Sequence, residues 1–201
     1  MTTRKEHWEN IYNTKNPEEV SWTQDVPQTS LDFIDDLNVS KSAAIIDIGG
    51  GDSKLVDYLL DRGFTNVSVL DISEKSVEKA KQRLGKKAEK VKWIISDILD
   101  YNPAEKYEIW HDRAAFHFLT EEWQTEKYRE LVSKVVTGHL IIGVFSEEGP
   151  TKCSGLEIKQ YDSKTLFQRF EGFKVQRCLK VNHTTPFNTT QNFLFCHFQK
   201  I

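Results

Sequence analysis

Three short, largely apolar runs in this chain each end in an aspartate: Ile45-Ile46-Asp47, Val67-Ser68-Val69-Leu70-Asp71, and Val91-Lys92-Trp93-Ile94-Ile95 followed by Ser96-Asp97. An ionised carboxylate only accepts hydrogen bonds, so such groups suit a ligand rich in donors, such as an ammonium or a vicinal diol. Asp47 leads into Ile48-Gly49-Gly50-Gly51-Asp52 and then the helix-like Ser53-Lys54-Leu55-Val56-Asp57-Tyr58-Leu59-Leu60. A buried strand turning sharply into a helix exposes backbone amides at the turn, and glycine lets a ligand approach them closely. Asp71 follows Asp47 by about 24 residues, near the interval at which a second strand offers an acid to a ribose diol. Ile72 comes next, placed to line the face of an attached ring.

These acids serve one ligand only if their strands lie side by side. In open α/β sheets ligands bind at the carboxyl ends of the strands, where the three aspartates would converge. Ser73-Glu74-Lys75-Ser76 reads as a helix start, with Ser73 as N-cap and an acid in the first turn. A fourth strand, Tyr107-Glu108-Ile109-Trp110, runs into His111-Asp112-Arg113-Ala114. A fifth, His139 to Phe145, enters a loop at Ser146-Glu147-Glu148-Gly149-Pro150. The segments 174–179 and 192–198 look like a closing antiparallel pair, with His183 in the loop between them.

Two ligands compete for such a turn. A dinucleotide site wants G-x-G-x-x-G, but here the third glycine position is Lys54, and Asp47 and Asp52 would flank a diphosphate with like charge. The run Asp47-Ile48-Gly49-Gly50-Gly51 resembles instead the first motif of the class I S-adenosylmethionine-dependent methyltransferases, acid-x-Gly-x-Gly; the further glycine many members carry is Ser53 here. The resemblance spans roughly residues 40–200. It implies an α/β, Rossmann-like seven-stranded sheet, mostly parallel with an antiparallel C-terminal strand pair and helices on both faces. It implies S-adenosyl-L-methionine as cofactor, held by Asp47, Gly49, Gly50, Gly51, Asp71, Ile72, Asp97, Ile98 and His111. Asp97 would take the adenine amine and the Ile98 amide a ring nitrogen.

The chain has 201 residues, 38% of them hydrophobic and 28% charged, enough for one ordinary globular domain. A formal net charge of -3 gives no basic footprint for nucleic acid or an anionic membrane. No run reaches membrane-spanning length and no apolar signal core opens the chain, so a cytoplasmic location is expected. Cys153, Cys178 and Cys196 lack C-x-x-C spacing and read as free thiols, with no metal site.

Residues 1–39 precede the sheet, which occupies 40–201. Trp8, Ile11 and Tyr12 fall at helical spacing, and Leu31, Phe33, Ile34 and Leu37 suggest a second helix. In many small-molecule methyltransferases such a segment closes over the cofactor; Trp22 is its best candidate for an aromatic contact with a sulfonium or a flat substrate. Methyl transfer is a direct displacement that needs alignment and exclusion of water, with deprotonation only if the nucleophile starts protonated. His111, His183 and Glu147 are the candidate catalytic residues, with Asp112, Arg113, His117 and Glu148 at the same strand ends. Neither a Pro-Pro-Tyr/Phe motif for adenine amines nor a Pro-Cys motif for cytosine is present. A small-molecule acceptor is expected; the alternatives are a protein lysine and a non-catalytic cofactor-binding module.

Overall fold

The computed structural model describes residues 3–201. One seven-stranded sheet organises it, in the order β3 (Val91–Ile95), β2 (Val67–Asp71), β1 (Ile45–Ile48), β4 (Tyr107–Arg113), β5 (Val136–Phe145), β9 (Thr190–Lys200), β8 (Phe173–Thr184). The first five run parallel; β9 pairs antiparallel with both β5 and β8. A two-residue hairpin, β6 (Lys152–Cys153) with β7 (Leu156–Glu157), stands apart. The predicted parallel sheet with its antiparallel C-terminal pair is present.

Period-two alternation assigns the buried side chains to two cores, as a sheet covered on both faces requires. Ile46, Ile48, Trp110, Leu140 and Ile142 face one layer, which includes α5 (Glu122–Val135) through Tyr128 and Val132. Ile45, Val67, Val69, Ile109 and Ile141 face the other, packed on α2 (Gln28–Asp35) and α3 (Leu55–Asp61). The same alternation aims the polar residues at the strand tips. Asp47 shares a face with Ile45, and His111 with Ile109, whereas Asp112 points the opposite way, to α5.

Helix α1 (Arg4–Thr14) begins with a capping box between Thr3 and Glu6 and docks on α4 (Glu74–Leu84). The joint is specific. Glu9 accepts hydrogen bonds from Ser73 Oγ (2.9 Å) and the amides of Glu74 (2.7 Å) and Lys75 (3.2 Å), placing a carboxylate on the positive end of α4. The helices α1 and α2 occupy the segment where helical spacing was seen.

Two sequence expectations change. The last two strands are longer than their apolar runs, because polar residues of an exposed edge strand extend β8 to Thr184; His183 therefore lies in β8, opposite Gln191, and not in a loop. Cys178 and Cys196 are not free thiols. They are directly opposed across β8 and β9 and form a disulfide, leaving Cys153 as the free, buried cysteine. Among the described residues no helix is long and apolar enough to cross a membrane.

Candidate functional site

The tips of β1 to β4 open into a cavity of about 930 Å³, roofed by α1 and the segment that follows it. Asp47, Gly49, Gly50, Asp71, Ile72, Asp97, Ile98, His111, His183 and Trp22 all line it. Glu147 does not. It is exposed on the loop after β5, next to Glu148, which pairs with Lys180 of β8. Gly51 is also absent from the lining, for a different reason. With φ +33° it sits behind the turn, where a Cβ would come within 2.5 Å of Asp71 Oδ2.

The glycine turn is thus packed against the acids it accompanies. A Cβ on Gly50 would meet Asp47 Oδ2 at 2.5 Å. Asp71 is buried and accepts one hydrogen bond from the Ser73 amide at 2.8 Å. Burial dominates its ionisation and raises its pKa to about 7. Asp97 binds the Leu99 amide at 2.9 Å and faces Arg4 of α1 at 3.6 Å. Asp52, at the mouth of the turn, is paired with Arg83 and still raised by its burial.

At the tip of β4 the alternation sends consecutive residues to opposite duties. His111 Nδ1 lies 2.7 Å from Asp47 Oδ1 and its Nε2 lies 2.9 Å from Ser30 Oγ of α2. Asp112 faces α5, where Tyr128 donates to it at 2.7 Å after receiving the Trp110 indole N–H at 2.8 Å. The other Asp112 oxygen takes the amides of Ala115 and Phe116, both at 3.0 Å, and so shapes the turn in which Ala114 adopts φ +67°. Burial raises this carboxyl to about 6.

Above the acids the roof is aromatic. Trp22 packs edge-on against Trp8 at 5.7 Å and Tyr12 at 6.3 Å, and Trp8 meets Phe118 at 5.1 Å. Burial, then the charges of Asp71 and Asp52, hold the Tyr12 hydroxyl well above its ordinary range. On the far wall His183 places Nε2 2.7 Å from the Ser21 carbonyl; a carbonyl only accepts, so Nε2 carries the hydrogen and Nδ1 keeps its lone pair. Gln24 Nε2 lies 3.5 Å from that Nδ1. Burial, then the charge of Arg113, depresses the His183 pKa.

His117 is buried away from the cavity, with burial and the charge of Arg113 lowering its pKa to about 3. Ser30, Glu9 and Phe118 carry no reading from the sequence. Their importance comes from what they meet across the fold, and only Phe118, in an aromatic-rich run after β4, carries a local signal.

Residues 45–138 match the methyltransferase domain family. Over 84 residues the chain is 32% identical to a malonyl-[acyl-carrier protein] O-methyltransferase of Ilyobacter polytropus; the match covers 41% of this chain and 31% of that relative, so the chain spans about a third of its length. An S-adenosylmethionine-dependent methyltransferase structure from Anabaena variabilis superposes with TM-score 0.75 at 14% identity, covering 99% of this chain and 96% of that one. The Synechocystis magnesium protoporphyrin IX methyltransferase, solved with S-adenosylmethionine bound, gives TM-score 0.72 at 15% identity over 100% of this chain and 99% of its own. Over its whole length the chain has the Rossmann-like fold of these S-adenosylmethionine-dependent methyltransferase structures, and its residues 45–138 match the methyltransferase domain family.

Proposed function

We propose that this chain is an S-adenosylmethionine-dependent methyltransferase whose acceptor is a small molecule. The observation that carries the reading is the convergence of Asp47, Asp71 and Asp97 with the glycine turn in one cavity. Three acids close to a bare turn repel a diphosphate but suit a phosphate-free nucleoside bearing an ammonium and a sulfonium. When bound, that cofactor supplies an electrophilic methyl group on sulfur.

In this reading Asp71 accepts the ribose diol, Asp97 and the Ile98 amide meet the adenine edge, and Asp47 with Gly49 and Gly50 holds the amino-acid end. Trp22 closes over the reacting centre and excludes water. His111 holds Asp47 in place; the carboxylate can only accept, so the His111 Nδ1–H donates to it and Nε2 takes the Ser30 hydroxyl. His183, which lines the cavity with its Nδ1 beside Gln24 Nε2, is the proton acceptor for an acceptor group that starts protonated. Glu147, outside the cavity, is given no role.

Residues 1–39 act as the lid and 40–201 as the cofactor domain. The roof of α1, clamped to α4 through Glu9, favours a small acceptor over a lysine on a folded protein. The negative formal charge supports a partner other than nucleic acid. The Cys178–Cys196 bridge weighs against the reducing cytoplasm expected from unpaired cysteines.

The test is transfer of a radiolabelled methyl group from S-adenosylmethionine into cell extract. Label in the deproteinised fraction supports this reading. Label confined to protein would favour the lysine alternative, and no label despite cofactor binding would leave a binding module.

A further inference from the structure

Arg113 is a cation without a counter-ion. It ends β4 on the face of Ile109 and His111 and lines the cavity. Of its five N–H groups, Nη1 donates to the Trp22 carbonyl at 3.0 Å, while Nη2 is buried with no hydrogen-bond partner. Among the described residues no carboxylate lies within ion-pair distance of it. Asp47, whose charge it feels, is already hydrogen-bonded to His111. Burial lowers the guanidinium pKa only to about 10, so it stays charged at neutral pH. Burying an unpaired cation is costly, and a fold keeps one where something else completes it.

Its surroundings say which part of the cavity it serves. The guanidinium carbon lies 5.1 Å from the centre of the Phe193 ring of β9, and its charge is felt by His183 of β8 and Cys153 of β6. Phe193 and His183 belong to the β9–β8 side of the site, away from Asp71 and Asp97 at the tips of β2 and β3. A planar guanidinium with free donors matches a carboxylate two bonds at a time. Trp8, Trp22 and Phe118 wall the same cavity with flat apolar surface.

We propose that Arg113 is the anion-recognition residue of the acceptor subsite, and that the methyl acceptor is a small, flat molecule carrying a carboxylate. This rests on the methyltransferase reading above. The same chemistry has a second source, the carboxylate at the amino-acid end of the cofactor, and the experiment separates the two.

Wild type, Arg113→Gln and Arg113→Lys are titrated calorimetrically with S-adenosylhomocysteine, and the protein, with and without it, is then titrated with benzoate or benzamide. Benzoate should bind wild type at least about tenfold more tightly than benzamide, a margin within reach of one charge-assisted pair. Arg113→Gln should abolish that preference and Arg113→Lys restore part of it, with S-adenosylhomocysteine affinity altered less than about threefold in both. Equal binding of benzoate and benzamide to wild type overturns the proposal. So does a preference that survives in Arg113→Gln while S-adenosylhomocysteine affinity falls about tenfold or more, because the cation would then serve the cofactor. A wild-type protein that prefers benzoate yet never binds S-adenosylhomocysteine supports the anion site and refutes the methyltransferase reading. Thermal unfolding of each variant checks that it is folded, and the lysine variant decides if the glutamine variant is not.

Discussion

His111 and Asp47 are register partners on adjacent parallel strands, and their side chains meet at 2.7 Å on the face where α2 supplies Ser30. The relationship gives His111 a positioning duty. Both its ring nitrogens are engaged, so what it offers the site is a fixed Asp47 carboxylate. Replacing it with phenylalanine leaves that buried acid without its partner. His111→Phe should destabilise the protein by about 1–3 kcal/mol and weaken binding of S-adenosylhomocysteine, whereas His111→Gln recovers part of both. Chemical denaturation and calorimetry check this. A His111→Phe variant that binds normally would remove His111 from the site.

The glycine turn is a packing requirement as well as a conformational one. Gly50→Ala would drive its methyl into Asp47 at 2.5 Å, displacing the carboxylate that His111 holds. Overpacking of this kind costs about 1–3 kcal/mol, and most of it should appear as lost cofactor affinity. A folded Gly50→Ala protein with wild-type affinity, measured by calorimetry, would contradict the packing.

Asp71 makes cofactor binding pH-dependent. Its pKa is raised to about 7 by burial, and the ionised form, with both oxygens free to accept, binds the two donors of a diol more strongly. Binding therefore favours the deprotonated group: affinity should rise as pH increases through about 7, and fall toward the acid side by up to about tenfold per pH unit. The stability of the apo protein should show the opposite preference. An acid whose folded pKa exceeds its unfolded value takes up a proton on folding, so its contribution to stability declines between about pH 4 and 7. Asp71→Asn should flatten both slopes in titrations across that range. An affinity independent of pH in wild type would show that the diol is not held there.

The cross-strand disulfide is a stability element remote from the acids. Cys178 and Cys196 close a loop with a sequence separation of 18. The double variant Cys178→Ser, Cys196→Ser should lose about 2–4 kcal/mol in denaturant unfolding, with cofactor affinity unchanged. Equal stability of the two proteins would mean that the bridge contributes nothing in solution.

The sheet was legible because its strands are short buried runs with β-branched residues, and the acids because each stands where such a run stops. The Ser73 cap could be read locally for the same reason. What sequence could not give was everything decided across the chain. The partnership of His111 with Ser30 joins α2 to β4, the clamp of Glu9 joins α1 to α4, and the disulfide joins two strands whose register no spacing reveals. His183 looked like a loop residue because the polar end of β8 is an exposed edge, where burial leaves no pattern to read. Glu147 stood at a strand end, as the useful residues do, but its side chain is exposed to solvent.

The central claim, that three strand-tip acids and the glycine turn hold a phosphate-free nucleoside, is tested most directly by calorimetric titration of wild type and Asp71→Ala with S-adenosylhomocysteine, with NADH as control. Wild type should show a single saturable site, the folded variant a loss of about 1.5–3 kcal/mol, and NADH no heat. Binding of NADH in place of S-adenosylhomocysteine, or an Asp71→Ala affinity equal to wild type, would contradict it.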